Sequence, residues 1–276
     1  MSERHGTSRA RRLVRITRGS LGVVLGALVL TACGSGEAER DTSSSSRSGG
    51  NAASDTDTPA GDNPGEAQPP VAADAKSDIV GTGTRLVATL GDSITAGTPG
   101  WDPDPVTRAG IDQPDPRNQW QHWAAGRNPE LRFRNCGVNR ERTDEIALRL
   151  ERCLEGAKVL VVQGGINDLA QQYGVQHAER GLRGMVRAGK RAGANVLLTQ
   201  VLPWNAGYPD FAPQINELNR RIGVLAAQEK VPLLTFYEAL EDPQAPGRMR
   251  AAWTVDGSHP STAGHRVLGE TAFRLP

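Results

Sequence analysis

Five short apolar runs punctuate the C-terminal part of the chain: RLVATL at 85–90, LRFRN at 131–135, KVLVVQ at 158–163, NVLLTQV at 195–201 and PLLTFY at 232–237. They have strand length and are rich in Val and Leu. Most lack strict alternation of apolar and polar positions, which is the pattern of strands buried on both faces. Helical periods lie between them. Ile146, Leu150, Cys153 and Leu154 form one apolar stripe, and Ile215, Leu218, Ile222, Leu225 and Ala226 form another. Alternating strands and helices predict a three-layer α/β/α fold around a five-stranded parallel sheet. Right-handed crossovers leave few topologies, and the flavodoxin-like order 2-1-3-4-5 is the one expected here.

That order predicts where a site would sit. Open parallel sheets bind ligands beyond the carboxyl ends of their strands, at the point where the order reverses. The first strand ends in LGDSITAG at 90–97, the second in NCGVN at 135–139 and the third in GGIND at 164–168, and DGSHP at 256–260 follows the fifth. Ser93 is not in a G-x-S-x-G elbow, because Thr95 stands where the second glycine would be. Its surroundings nevertheless supply what acyl transfer needs. A serine nucleophile requires a base and the base an orienting carboxylate. Asp256 and His259 are three residues apart, so one turn of chain can join them. Pro260 is expected at the first position of the terminal helix, fixing His259 at its entry. A developing oxyanion needs preplaced donors, which the Gly137 amide and the Asn167 side chain could provide.

The blocks GDSIT, NCG, GGIND and DGSHP together resemble the four sequence blocks of the SGNH hydrolases, the GDSL-type esterases and lipases. The resemblance runs over most of residues 85–270, in the expected order. It implies a flavodoxin-like fold and ester hydrolysis with Ser93 as nucleophile, Asp256 as orienting acid and His259 as general base. Ser93, Gly137 and Asn167 would form the oxyanion hole. Asp92 and Asp168, beside these positions, read as turn caps or ties. His122, His177 and His265 show no partner pattern and read as surface or packing residues. No metal cluster, phosphate loop or other cofactor motif stands out.

Charge changes the picture at the N-terminus. Six arginines fall within the first twenty residues, followed by ten uncharged residues at 21–30. The run is too short to span a bilayer, which takes roughly twenty residues. A basic region followed by a short apolar one is an export signal, expected over 1–32. The boundary Leu30-Thr31-Ala32-Cys33-Gly34 resembles a bacterial lipobox, which implies a lipidated Cys33. The pair Arg11-Arg12 leaves the export route open between the general and twin-arginine systems. Residues 33–78 are poor in large apolar side chains and read as a disordered tether. The catalytic domain is expected at 79–276, as a monomer held to the outer face of the cell membrane. A net charge of +1 offers no reason to expect nucleic acid.

Two cysteines remain in the exported domain. Compartment and even count favour a Cys136–Cys153 disulfide over two buried thiols. Arginine-rich stretches at 132–152 and 180–191 read as solvated helix faces. The proline-rich segment 98–117 is expected at the mouth of the site, with Trp101 and Trp204 as candidate walls or sugar platforms. The substrate stays open between a lipid ester and an acylated carbohydrate, with acyl transfer as a variant. A non-catalytic binding lipoprotein is the alternative of a different class.

Overall fold

The computed structural model describes residues 78–275. The expected signal peptide, Cys33 and the tether through residue 77 lie outside the described residues. Six strands form one sheet: β1 (Asp78–Val80), β2 (Arg85–Gly91), β3 (Leu131–Gly137), β4 (Val159–Val162), β5 (Asn195–Thr199) and β6 (Leu233–Leu234). Their order is β1-β3-β2-β4-β5-β6. Strands β2 to β6 run parallel, in the expected 2-1-3-4-5 order, and β1 adds antiparallel to the outer edge of β3. A three-residue strand carries no readable period, so β1 was not foreseen. It opens at Asp78, the last residue assigned to the tether, and Asp78 accepts the Trp101 indole N–H at 3.0 Å.

Both faces of the sheet are covered, which is why β2, β4 and β5 do not alternate. Leu86, Ala88 and Leu90 of β2 join one core with Leu160 and Val162 of β4. Val87, Val159 and Val161 join the other. The helices Val175–Arg191 and Ala212–Glu229 cover the first face. Trp120–Arg127, Phe236–Leu240 and Thr262–Val267 cover the second. Trp120 anchors that second core, its ring 5.9 Å from Phe133, 5.6 Å from Phe236 and 5.5 Å from Phe273. Arg187 and Arg221 pair with Glu229 and Glu179 across the first layer, consistent with solvated helix faces.

Three elements differ from expectation. The last strand stops at Leu234, and Phe236–Leu240 turns helical because Phe236 is drawn into the Trp120 cluster. β5 ends at Thr199; beyond it the Asn219 side chain binds both the N–H and the carbonyl of Val201, at 2.8 and 2.9 Å, in place of a strand neighbour. The stripe from Ile146 to Leu154 belongs to two short helices, Thr143–Ala147 and Leu150–Leu154. Between them Arg149 folds back onto Glu141 and the carbonyls of Gly91 and Cys136. The Cys136–Cys153 disulfide joins the end of β3 to the second of these helices.

Candidate active site

Ser93 opens a one-turn helix, Ser93–Ala96, directly after β2. Asp92 caps that turn, accepting the Ile94 N–H at 2.9 Å. The Gln163 side chain, just past β4, accepts the Asp92 N–H at 3.1 Å and the Thr95 hydroxyl at 2.8 Å. Thr95 therefore has a structural use that a second glycine could not serve: it clamps the serine turn to the next strand. Asp92 is wholly buried, and burial pushes its carboxyl up to about 6, against the Ile94 N–H bond.

His259 is presented by a closed loop. Thr254 pairs with Pro260, and the Thr254 hydroxyl donates to the His259 carbonyl at 2.8 Å while accepting the Gly257 N–H at 2.9 Å. Gly257 sits at φ +82°, where a side chain would strain the turn. Asp256 accepts the Ser258 and His259 N–H groups, each at 2.8 Å, with one oxygen. Its other oxygen lies 2.7 Å from His259 Nδ1, and His259 Nε2 lies 3.1 Å from Ser93 Oγ. Partial burial works to raise the Asp256 carboxyl, but its hydrogen bonds to the His259 ring and to these amides outweigh it and hold the group below the ordinary carboxylate range. Pro260 does not start the helix. Ser261 caps it and Thr262 begins it, so the Thr254–Pro260 pairing, rather than the helix entry, fixes the histidine.

Asn167 lies in the first turn of the Ile166–Ala170 helix, after Gly164 and Gly165. One hydrogen of its side-chain amide goes to the Glu141 carbonyl at 3.0 Å, which leaves the other for a ligand. The expectation for Gly137 is not met by this geometry. Its N–H donates to the Asn135 side chain at 2.9 Å, and Gly137 does not line the cavity beside Ser93. Glycine is needed there because an added Cβ would stand 2.0 Å from the Ala96 nitrogen. The residue of this segment that lines the cavity is Arg140, in the left-handed region at φ +67°. Among the described residues the backbone N–H groups of Ser93 and Arg140 have no acceptor. A positive φ at a non-glycine residue leaves no mark in the sequence, so only the folded loop shows Arg140 in this position.

The cavity is about 170 Å³ in volume. Ile166, Ala170, Val201, Leu202 and Trp204 give it an apolar lining alongside Asn167 and His259. Trp204 is thus a wall, held by its indole N–H on Ser258 Oγ at 2.8 Å. Trp101 is not: it is bound to Asp78 and stacked under Arg108, and no residue of 98–117 lines the cavity.

A second histidine–carboxylate pair starts at Asp168, next to Asn167 in the chain. Asp168 accepts the Thr143 N–H at 3.0 Å and hydroxyl at 2.7 Å, and lies 2.6 Å from His177 Nδ1. Asp168 ties a turn as expected, while His177 has a partner that sequence spacing did not reveal. Asp144 brings a third ligand-type group close to these two, but the hydrogen bonds already account for both Asp168 oxygens. His265 is fully buried and His122 packs edge-on against Trp123, in keeping with packing roles.

A serine, a histidine and an aspartate in hydrogen-bonded series at the strand ends of a doubly wound sheet are the layout of a serine acyl hydrolase. Residues 89–267 match the family model of the GDSL-like lipase/acylhydrolases, and the chain belongs to that family. No curated protein matches it significantly in sequence. Its fold is similar to that of a member of the lipolytic G-D-S-L family from Veillonella parvula, with a TM-score of 0.54 and 18% identity over 67% of this chain and 94% of that one. It is also similar to a GDSL-like lipase from Bacteroides thetaiotaomicron, with a TM-score of 0.52 and 22% identity over 67% and 83% of the two chains. A third likeness is to Axe2, an acetylxylan esterase from Geobacillus stearothermophilus, with a TM-score of 0.51 and 19% identity over 69% and 92%.

Proposed function

We propose that this enzyme hydrolyses carboxylic esters of short acyl chains through Ser93, His259 and Asp256. The observation that carries this reading is the unbroken series from Ser93 Oγ through His259 to Asp256, at 3.1 and 2.7 Å. His259 takes the serine proton as Oγ attacks the carbonyl, then delivers it to the leaving alcohol; water repeats the sequence on the acyl-enzyme. Asp256 holds the ring with Nδ1 protonated and offsets the charge it gains. The oxyanion falls to the Ser93 N–H and the free Asn167 amide hydrogen, with the Arg140 N–H as the third donor in place of Gly137. The cavity is smaller than the roughly 300–1,000 Å³ of pockets for drug-sized ligands, which favours a short acyl group over a long one.

A fluorophosphonate probe should label the wild-type protein and not Ser93→Ala, and 4-nitrophenyl acetate should be hydrolysed faster than the decanoate. Labelling that persists in Ser93→Ala defeats the assignment. Trp204 in the wall favours one second reading, removal of acetyl groups from a carbohydrate whose ring stacks there. Release of acetate from an acetylated oligosaccharide, lost in Trp204→Ala while 4-nitrophenyl acetate is still cleaved, would select it.

The location we propose is the outer face of the cell membrane, with the chain anchored through a lipidated Cys33. The support is the order of basic, apolar and lipobox-like segments in the sequence. Radiolabelled palmitate should enter the wild-type protein expressed in a bacterial host and not Cys33→Ser.

A further inference from the structure

Arg140 is an unusual occupant of its position. At φ +67° a side chain costs about 1 kcal/mol or more relative to glycine, and residues kept in such conformations concentrate at functional sites. The backbone there has a clear task. The Arg140 carbonyl accepts the Gln171 side chain at 3.0 Å, and the next carbonyl, of Glu141, accepts Asn167. Glycine would perform that task without strain. What arginine adds is an exposed cationic side chain on a residue that lines the cavity.

That guanidinium has no ion pair, hydrogen bond or ring partner among the described residues. Its neighbours are committed elsewhere: Glu141 to Arg149, and Asp144 to Arg142. No Asp or Glu lines the cavity, so nothing in the lining balances the charge. We infer that Arg140 reads an anionic group on the substrate, and that the ester this enzyme cleaves carries a carboxylate or phosphate on its alcohol portion. The side follows from burial. Val201 and Leu202 are buried apolar lining residues suited to the acyl group, whereas Arg140 is exposed, as the alcohol portion of a bound ester would be. Arginine presents a planar fork that suits either anion.

The inference rests on the esterase reading above, and three aryl acetates separate the two. 4-Acetoxybenzoate and 4-acetoxyphenyl phosphate carry the anion; methyl 4-acetoxybenzoate is the neutral partner. In the wild-type enzyme, kcat/KM for at least one anionic ester should exceed that for the neutral ester, and added salt should shrink the ratio. Arg140→Gln, which leaves the same left-handed strain in place, should lower the anionic-to-neutral ratio about tenfold or more. Arg140→Lys should keep part of it. The anion that loses more in Arg140→Gln identifies which of the two is read. A ratio unchanged between wild type and Arg140→Gln overturns the inference while leaving the esterase intact. Absence of Ser93-dependent cleavage of all three esters overturns both.

Discussion

Asn167 shows how much one side chain is asked to do. Its amide hydrogens are divided between the Glu141 carbonyl and the cavity, so the first bond aims the second. Asn167→Ala should lower kcat by roughly 10²–10³, the usual cost of one oxyanion donor, with little change in KM. A kcat within a few-fold of wild type for short-chain esters would remove Asn167 from the hole. At this scale the sequence was legible wherever chemistry requires a particular residue type. Ser93, Asn167, Asp256 and His259 all follow strands, and the structure brings them together. Besides Pro260, Trp101 and His177, the differences at the proposed oxyanion hole concern backbone. Gly137 looked like an amide donor because glycine permits close approach, but what approaches it is the Ser93 helix. Arg140 drew no attention because residue type does not show which loop residue will line a cavity.

Elements position these residues through ties that cross between strands. The Ser93 turn is clamped by Gln163 past β4, and the segment after β3 is held by Arg149, Asp168 and the disulfide. The disulfide closes a loop with a sequence separation of 17. Removing it as Cys136→Ser/Cys153→Ser should cost about 3 kcal/mol in the chain-entropy model. This would appear as a lower urea midpoint. Reductant should destabilise the wild type by a similar amount and leave the double variant unmoved; an equal effect on both would mean that the bridge is not the source. The elements themselves were readable from Val and Leu runs because two-sided burial demands them. Their ends were less so. Phe236 left the strand pattern for a helix because the Trp120 cluster, assembled from distant segments, drew it away.

Across the whole molecule, two buried groups set opposing responses to acid. His265 is fully buried with no partner for either ring nitrogen among the described residues, and burial drives its pKa down to about 3 from 6.5. Between those values the unfolded chain takes up a proton that the folded protein refuses, so this contribution to stability is lost as pH falls through the window. It is on the order of a few kcal/mol. Asp92 acts in the other direction. Its folded value of about 6 lies above the ordinary 3.8, so its contribution is present below about pH 3.8 and is lost as pH rises through 6. His265→Leu should therefore raise the Tm at pH 5 relative to that at pH 7.5, compared with wild type. An unchanged difference between the two would show that the buried ring does not govern acid sensitivity.

The sequence by itself determined the five parallel strands, their order and the family, though not the added antiparallel β1, because apolar period and strand-end chemistry are local properties that four short blocks carry intact. The tertiary structure decided which loop residues line the cavity and which aromatic walls it. It also decided that His177 pairs with Asp168 and that the exposed Arg140 lines the cavity. The cavity lining depends on segments tens of residues apart meeting at one place, and the His177–Asp168 pair, nine residues apart, depends on how the intervening loop turns back; no spacing along the chain encodes either.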